Sequence, residues 1–222
     1  MAKKIEISPE SVLEKFSTPK KEDHFPHLDL PTSQISDALK SITCENGVIH
    51  GIKPVKNNIK VMGRAVTVKT DPEDWGTALK GIDAAQEGDV LFIDAENGYD
   101  AVWGELTSSS SQEKGIAGTV VYGAVRDVEA VRNLNYPVYS CRIVPCAGEP
   151  KGEGEINIPL ECEGVKVKPG DWIIGDDCGV VVVPAKCFKE VIEAASNIKD
   201  KETRIIRRLK DGWSLSEILG IK

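Results

Sequence analysis

Arg126 and Asp127 stand side by side at the end of the run Gly118-Thr119-Val120-Val121-Tyr122-Gly123-Ala124-Val125. Apolar and small residues leading straight into two charges are the pattern of a buried strand that delivers both groups to its C-terminal end. The guanidinium of Arg126 is a planar fork that pairs bidentately with a carboxylate. The carboxylate of Asp127 offers hard oxygens suited to a divalent cation such as Mg2+. Together they would hold a small oxo-acid against a metal. The competing structural reading is an adjacent charged pair at a helix start, with Asp127 as the N-cap.

A second candidate is Trp103-Gly104-Glu105-Leu106, at or near a helix start. Gly104 permits close approach of a ligand to the backbone. The first-turn N–H groups lack partners and attract an anion such as a carboxylate. Glu105 also has a purely structural role available, because an acid in the first turn gains about 0.3–1 kcal/mol from the helix dipole. Ser108 to Ser111 reads as a small-residue helix face packed on a sheet; a catalytic serine would need a His in a matching motif. Asp176-Asp177 reads as a β-turn, with Cys178 structural inside it.

The elements that must position these groups follow from spacing and punctuation. Ser8-Pro9-Glu10 predicts a helix to about Phe16, and Pro31 to Leu39 opens a second. Strands are predicted at Val61 to Lys69, Val90 to Asp94 and Thr119 to Ala124, with Val90-Leu91-Phe92-Ile93 apolar on both faces and so central. Further strands begin at Pro137 and cover Val165-Lys166-Val167, Trp172-Ile173-Ile174 and Val180 to Val183. Helices are predicted over Gly76 to Ala85, Ala101 to Lys114 with Gly115 closing it, Asp127 to about Asn133, and Ala185 to Ser196. Gly148 to Gly154 is loop-like. Ser214-Leu215-Ser216-Glu217 is a capping box for a final short helix. The result is a mixed α/β chain read as a single domain over 1–222, with a helical C-terminal extension from about 197. Ligands favour the C-terminal strand edge of such sheets.

Composition narrows the classes. The 222 residues can bury a real core, with 41% hydrophobic and 28% charged residues. The net charge of −7 argues against broad nucleic-acid binding. Arg204 to Lys210 is the one local basic patch and reads as the solvated face of an amphipathic helix. The six Cys form no C-x-x-C pair and only three His are present, two of them His24 and His27 in a polar N-terminal stretch, so a zinc site has little support. No signal core and no membrane-length apolar run is seen, which with reduced cysteines predicts a cytoplasmic protein.

Gly104-Glu105-Leu106, Gly115-Ile116-Ala117-Gly118, Gly123-Ala124-Val125-Arg126-Asp127, Pro169-Gly170-Asp171 and Asp176-Asp177-Cys178-Gly179 through Pro184 occur in an order that resembles the RraA-like family, over roughly residues 30 to 195. That family includes metal-dependent 4-hydroxy-4-methyl-2-oxoglutarate aldolases and regulators of ribonuclease E activity. The resemblance implies a swivelling β/β/α-type domain, with central mixed sheets flanked by helices. It implies Mg2+ or Mn2+ held through Asp127 with waters. It assigns the carboxylate and keto oxygen of a pyruvate unit to Arg126, with backbone amides around Gly104, Glu105 and Leu106 helping, and an ordered water to Glu105. Catalysis would then rest on Arg126, Glu105 and Asp127. It further implies trimers, sometimes stacked as hexamers, with an acid from a neighbouring subunit's C-terminal region; Glu190, Glu193 and Glu202 are the candidates. Two positions depart: Tyr122 stands where many of the aldolases carry Asp, as in the regulator branch, and Ala130 stands where an acid is frequent.

These readings leave two functions open. One is a divalent-metal lyase acting on a small 2-oxo acid, by aldol cleavage or oxaloacetate decarboxylation through a pyruvate enolate. The other is a non-enzymatic binder of a ribonuclease or RNA-processing protein, whose basic surface would suit the acidic chain. Methyl transfer to demethylmenaquinone has no supporting glycine-rich cofactor motif.

Overall fold

The computed structural model describes residues 29–221. The helix expected from Ser8, and His24 and His27, lie outside the described residues. In chain order the elements are α1 (Thr32–Thr43), β1 (Lys53–Pro54), β2 (Val61–Lys69), α2 (Gly76–Ala84), β3 (Val90–Asp94), β4 (Ala101–Trp103), α3 (Glu105–Glu113), β5 (Gly118–Val125), α4 (Val128–Asn133) and β6 (Val138–Ile143). They continue with β7 (Glu155–Ile156), β8 (Leu160–Cys162), β9 (Val165–Val167), β10 (Trp172–Asp176), β11 (Gly179–Val183), a short 3-10 turn, α5 (Phe188–Lys210) and α6 (Leu215–Leu219).

β3 is buried at every position, as its two apolar faces require. It lies between β2 and β5, and β6 adds beyond β5; these pairings are all parallel. β10 and β11 extend the β2 side and β1 the β6 side, all antiparallel, so the sheet is mixed. Its two ends come together. Val182 N–H donates to Gly47 O at 2.8 Å, Val48 bridges Val181, and Lys53 Nζ donates to Cys178 O at 2.6 Å. The result is a nearly closed mixed sheet with flanking helices, in line with the fold the resemblance implied.

Three apolar layers hold this arrangement. The inner one joins Phe92, Val120, Tyr139 and Ile173 to Leu160 and Cys162 of the β8–β9 hairpin. A second joins Leu91, Ile93 and Val121 to Ile82, Trp103 and Val131, beneath α2, α3 and α4. The third sets α1 and α5 on the outer faces of β10 and β11 through Ile35, Leu39, Ile174 and Val191. Trp172 stacks on Phe188 with ring centroids 4.1 Å apart.

Two expectations are corrected. Ala101 to Lys114 is not one helix: Ala101–Trp103 is strand β4, paired with Ala124 and Val125 of β5, and the helix begins only at Glu105. β4 occupies the flank of β5 that the shorter β3 has already left, and its backbone groups find partners there. The helix expected from Ala185 begins at Phe188 and runs unbroken to Lys210, because its apolar spacing continues past Ser196.

Candidate active site

β5 ends at Val125 and hands the chain to Arg126, whose N–H donates to Trp103 O at 2.9 Å. This bond ties the end of β5 to the end of β4, so Arg126-Asp127 and Gly104-Glu105 arrive together. Asp127 occupies the N-cap position of α4, yet its side chain makes no cap hydrogen bond. Its backbone is left-handed, with φ 55° and ψ 33°, a conformation that Asp tolerates better than most residues. The carboxylate instead turns toward α3. Oδ2 lies 3.4 Å from Glu105 N and 3.5 Å from Arg126 Nε.

Gly104 makes this approach possible. A Cβ at that position would stand 2.6 Å from Asp127 Oδ2 and 3.2 Å from Arg126 Cγ. The α3 start is anchored from beneath. Trp103 Nε1–H donates to Ser108 Oγ at 2.8 Å, and the Ser108 hydroxyl donates to Gly104 O at 2.7 Å. Ser108 is fully buried in this bridge, which is the packing role its sequence suggested. The first intrahelical bond is Ser108 N–H to Gly104 O, so the amides of Glu105 and Leu106 precede the ladder.

The Arg126 and Asp127 side chains are each 43% exposed and share one long contact. Neither is locked. The terminal nitrogens of Arg126 and Oδ1 of Asp127 have no protein partner among the described residues. The Glu105 side chain is exposed at the same helix start. The structure therefore brings Gly104, Glu105, Leu106, Arg126 and Asp127 together at one end of the sheet. Among the described residues no three His, Cys, Asp or Glu side chains converge as a metal cage. A cation here would rest on Asp127 and water, which suits Mg2+, an ion that retains much of its hydration.

Other readings from sequence resolve as structure. Asp176 accepts from Thr32 N at 2.8 Å and from Cys178 N at 2.8 Å, closing both the α1 start and the turn. Asp177 accepts from Asn58 N at 2.8 Å. Glu202 accepts from Gln34 Nε2 at 2.7 Å and so ties α5 to α1 of its own chain. A cavity of about 620 Å3 bounded by Lys60, Asp176 and Asp177 lies at the N-terminal ends of the parallel strands, away from Arg126.

Sequence reasoning missed three groups at the C-terminal strand edge. Lys69 pairs with Asp94 at 3.0 Å and Glu96 at 2.9 Å. Arg142 donates to Asn97 O at 2.6 Å and stacks 4.4 Å over Tyr99. Asp74 is buried, and burial alone would push its carboxyl up. Donors at Gly152 N, Glu153 N, Thr77 Oγ1 and Gly76 N outweigh that and hold it at about 2. For Lys69 and Asp94 the signal was present: a charge closing an apolar strand, as at Arg126. For Asp74 there was none, because its partners Gly152 and Glu153 come 78 and 79 residues later.

The chain matches the family described as RraA-like, Aldolase/RraA, over residues 32–182. The chain belongs to the RraA-like family. It is 42% identical over 184 residues to the uncharacterized protein MJ0644 of Methanocaldococcus jannaschii, covering 81% of this chain and 88% of that one. It is 38% identical over 177 residues to a protein of Halalkalibacterium halodurans provisionally named 4-hydroxy-4-methyl-2-oxoglutarate aldolase, covering 79% and 83%. Among solved structures it resembles the RNA-processing inhibitor RraA from Thermus thermophilus, with a TM-score of 0.60, 29% identity, and coverage of 67% of this chain and 92% of that one. The RraA-like family thus holds both proteins named as lyases and proteins named as RNA-processing inhibitors. Among the described residues no helix is long and apolar enough to cross a membrane.

Proposed function

We propose that this RraA-like chain is a divalent-metal-dependent lyase that cleaves or decarboxylates a small 2-oxo acid and releases pyruvate. The observation that carries the reading is Asp127: at the N-cap of α4 its carboxylate does not cap, but turns beside Arg126 and the Glu105 amide. A purely structural acid at that position would bond its own helix. Relatives bearing an aldolase name support the same direction.

Each residue has a definable task. The free fork of Arg126 pairs with the substrate carboxylate and places a fixed positive charge where the 2-oxo oxygen gains negative charge. The Glu105 and Leu106 amides add donors from the α3 start. The Glu105 carboxylate holds or moves a proton through an intervening water. Asp127 would hold Mg2+ or Mn2+, with water in the remaining positions. When bound, that ion supplies Lewis-acid polarisation of the 2-oxo group.

The test is pyruvate release from 4-hydroxy-4-methyl-2-oxoglutarate and from oxaloacetate. Activity is expected with Mg2+ or Mn2+, is lost with EDTA, and falls by roughly 1,000-fold or more in Asp127→Ala. No release from either acid with metal present overturns the reading.

One observation favours a second function, regulation of a ribonuclease or RNA-processing protein by binding. The α5–α6 hairpin leaves Ile206, Trp213, Leu215 and Leu219 exposed beside Arg204, Arg207 and Arg208. A pull-down with the ribonuclease that recovers no complex removes it.

A further inference from the structure

We infer that the α5–α6 hairpin docks on an anionic lipid surface, lying along it rather than crossing it. The inference stands apart from the lyase reading, since none of its residues belongs to the Arg126 site. Val191, Ala195, Ile198, Ile205 and Leu209 recur on α5 at helical spacing, so they share one face. On the near half that face is buried against the body, at Val191 and Ala195. Beyond Ala195 no described side chain is buried, yet the helix runs on to Lys210. Gly212, with φ 92°, then turns the chain into α6, which Ser214 caps. Ile206, Leu209, Trp213, Leu215, Leu219 and Ile221 are thereby left 40% to 66% exposed. Single surface leucines are ordinary, but a run of large apolar side chains on one hairpin marks a contact surface.

The charges of the hairpin say what covers it. Between 204 and 221 stand Arg204, Arg207, Arg208 and Lys210 against Asp211 and Glu217, a positive surplus in a chain whose net charge is −7. Arg204, Arg207 and Arg208 keep the spacing of one helix side, next to the apolar face, and all three are exposed. The Arg208 guanidinium lies 4.8 Å over the Trp213 ring, which puts a cation and an amphipathic ring at one level. A nucleic acid would meet the cations and leave the aliphatic side chains in water. A second copy would cover the aliphatic side chains and bring like charges together. An anionic lipid surface takes both at once: the apolar side chains enter the headgroup boundary and the guanidinium groups pair with phosphates. The acidic remainder of the chain is repelled by the same surface, which confines the contact to the hairpin.

The test is sedimentation of the full chain with protein-free vesicles, one set of phosphatidylcholine alone and one containing about one-third phosphatidylglycerol. The chain is expected to sediment with the anionic set, at least tenfold more strongly than with the neutral set. Arg207→Glu with Arg208→Glu is expected to weaken that binding about tenfold or more, and Trp213→Glu with Leu219→Glu to abolish it with every cation still present. All four positions are exposed, so folding is retained, which circular dichroism checks. No sedimentation with anionic vesicles overturns the inference, including the case in which light scattering shows that the hairpin joins copies of the chain, or in which it binds only a protein such as a ribonuclease. Equal binding to neutral vesicles overturns it, and so does binding that the Trp213 and Leu219 substitutions leave unchanged. Pyruvate release is measured separately, so failure of either reading leaves the other standing.

Discussion

Asp127 holds a left-handed backbone that costs an L-residue about 1–2 kcal/mol, and the pull of its α4 cap does not claim its side chain. Such strain survives only where the surroundings fix it, and here Gly104 leaves the space into which the carboxylate turns. Gly104 itself is extended, with φ −166°, so a side chain there meets no backbone penalty. The penalty is contact alone. Gly104→Ala is therefore expected to lower kcat/KM by roughly 10- to 100-fold by displacing Asp127 and Arg126. The melting temperature should move by no more than a few degrees, and the two measurements together separate misplacement from unfolding. That this pair stands at the end of a buried strand was legible in the sequence, because an apolar run leads straight into Arg126-Asp127. The direction of the Asp127 carboxylate was not legible, since it depends on a glycine 23 positions earlier and on a hydrogen bond from Arg126 to Trp103.

The elements around the site were readable wherever one local rule acted alone. Gly115, at φ 76°, closes α3 as its type demanded, and Ser214 caps α6 through Glu217 N–H. β4 was unreadable because Ala101-Val102-Trp103 fits a helix face as well as a strand, and only the free flank of β5 decides between them. The loop over α2 is fastened in the same non-local way, through Asp74. Removing that carboxylate leaves its buried donors unpaired, so Asp74→Ala is expected to lose on the order of 3 kcal/mol, read by urea denaturation. The sign with pH is fixed. The folded carboxyl, at about 2, lies below its ordinary 3.8, so its stabilisation is complete above about pH 4 and is lost as pH falls toward 2. Between those values the unaltered protein should lose its advantage over Asp74→Ala.

For the whole molecule, the mixed α/β character followed from spacing, while the ring-like meeting of the sheet ends did not. That meeting depends on residues 47–54 lying against β11, far along the chain. Past Ala195 no side chain of the described residues is buried, although α5 continues to Lys210. The far half of α5 and all of α6 therefore contribute little to the body. A chain ending after Glu202, which keeps the bond to Gln34, is expected to unfold cooperatively within a few degrees of the full chain. Scanning calorimetry checks this, and a large drop would show that the hairpin is part of the body.

The meeting of the sheet ends has a consequence for behaviour in crowded solution. A strand left unpaired along one side is a template on which other polypeptides can grow as fibrils. Here the outer row of β11 is taken up by Gly47 and Val48, and the ammonium of Lys53 stitches the remaining gap at Cys178. A few residues of the protein's own connecting loop thus occupy the backbone groups on which a foreign strand would otherwise add.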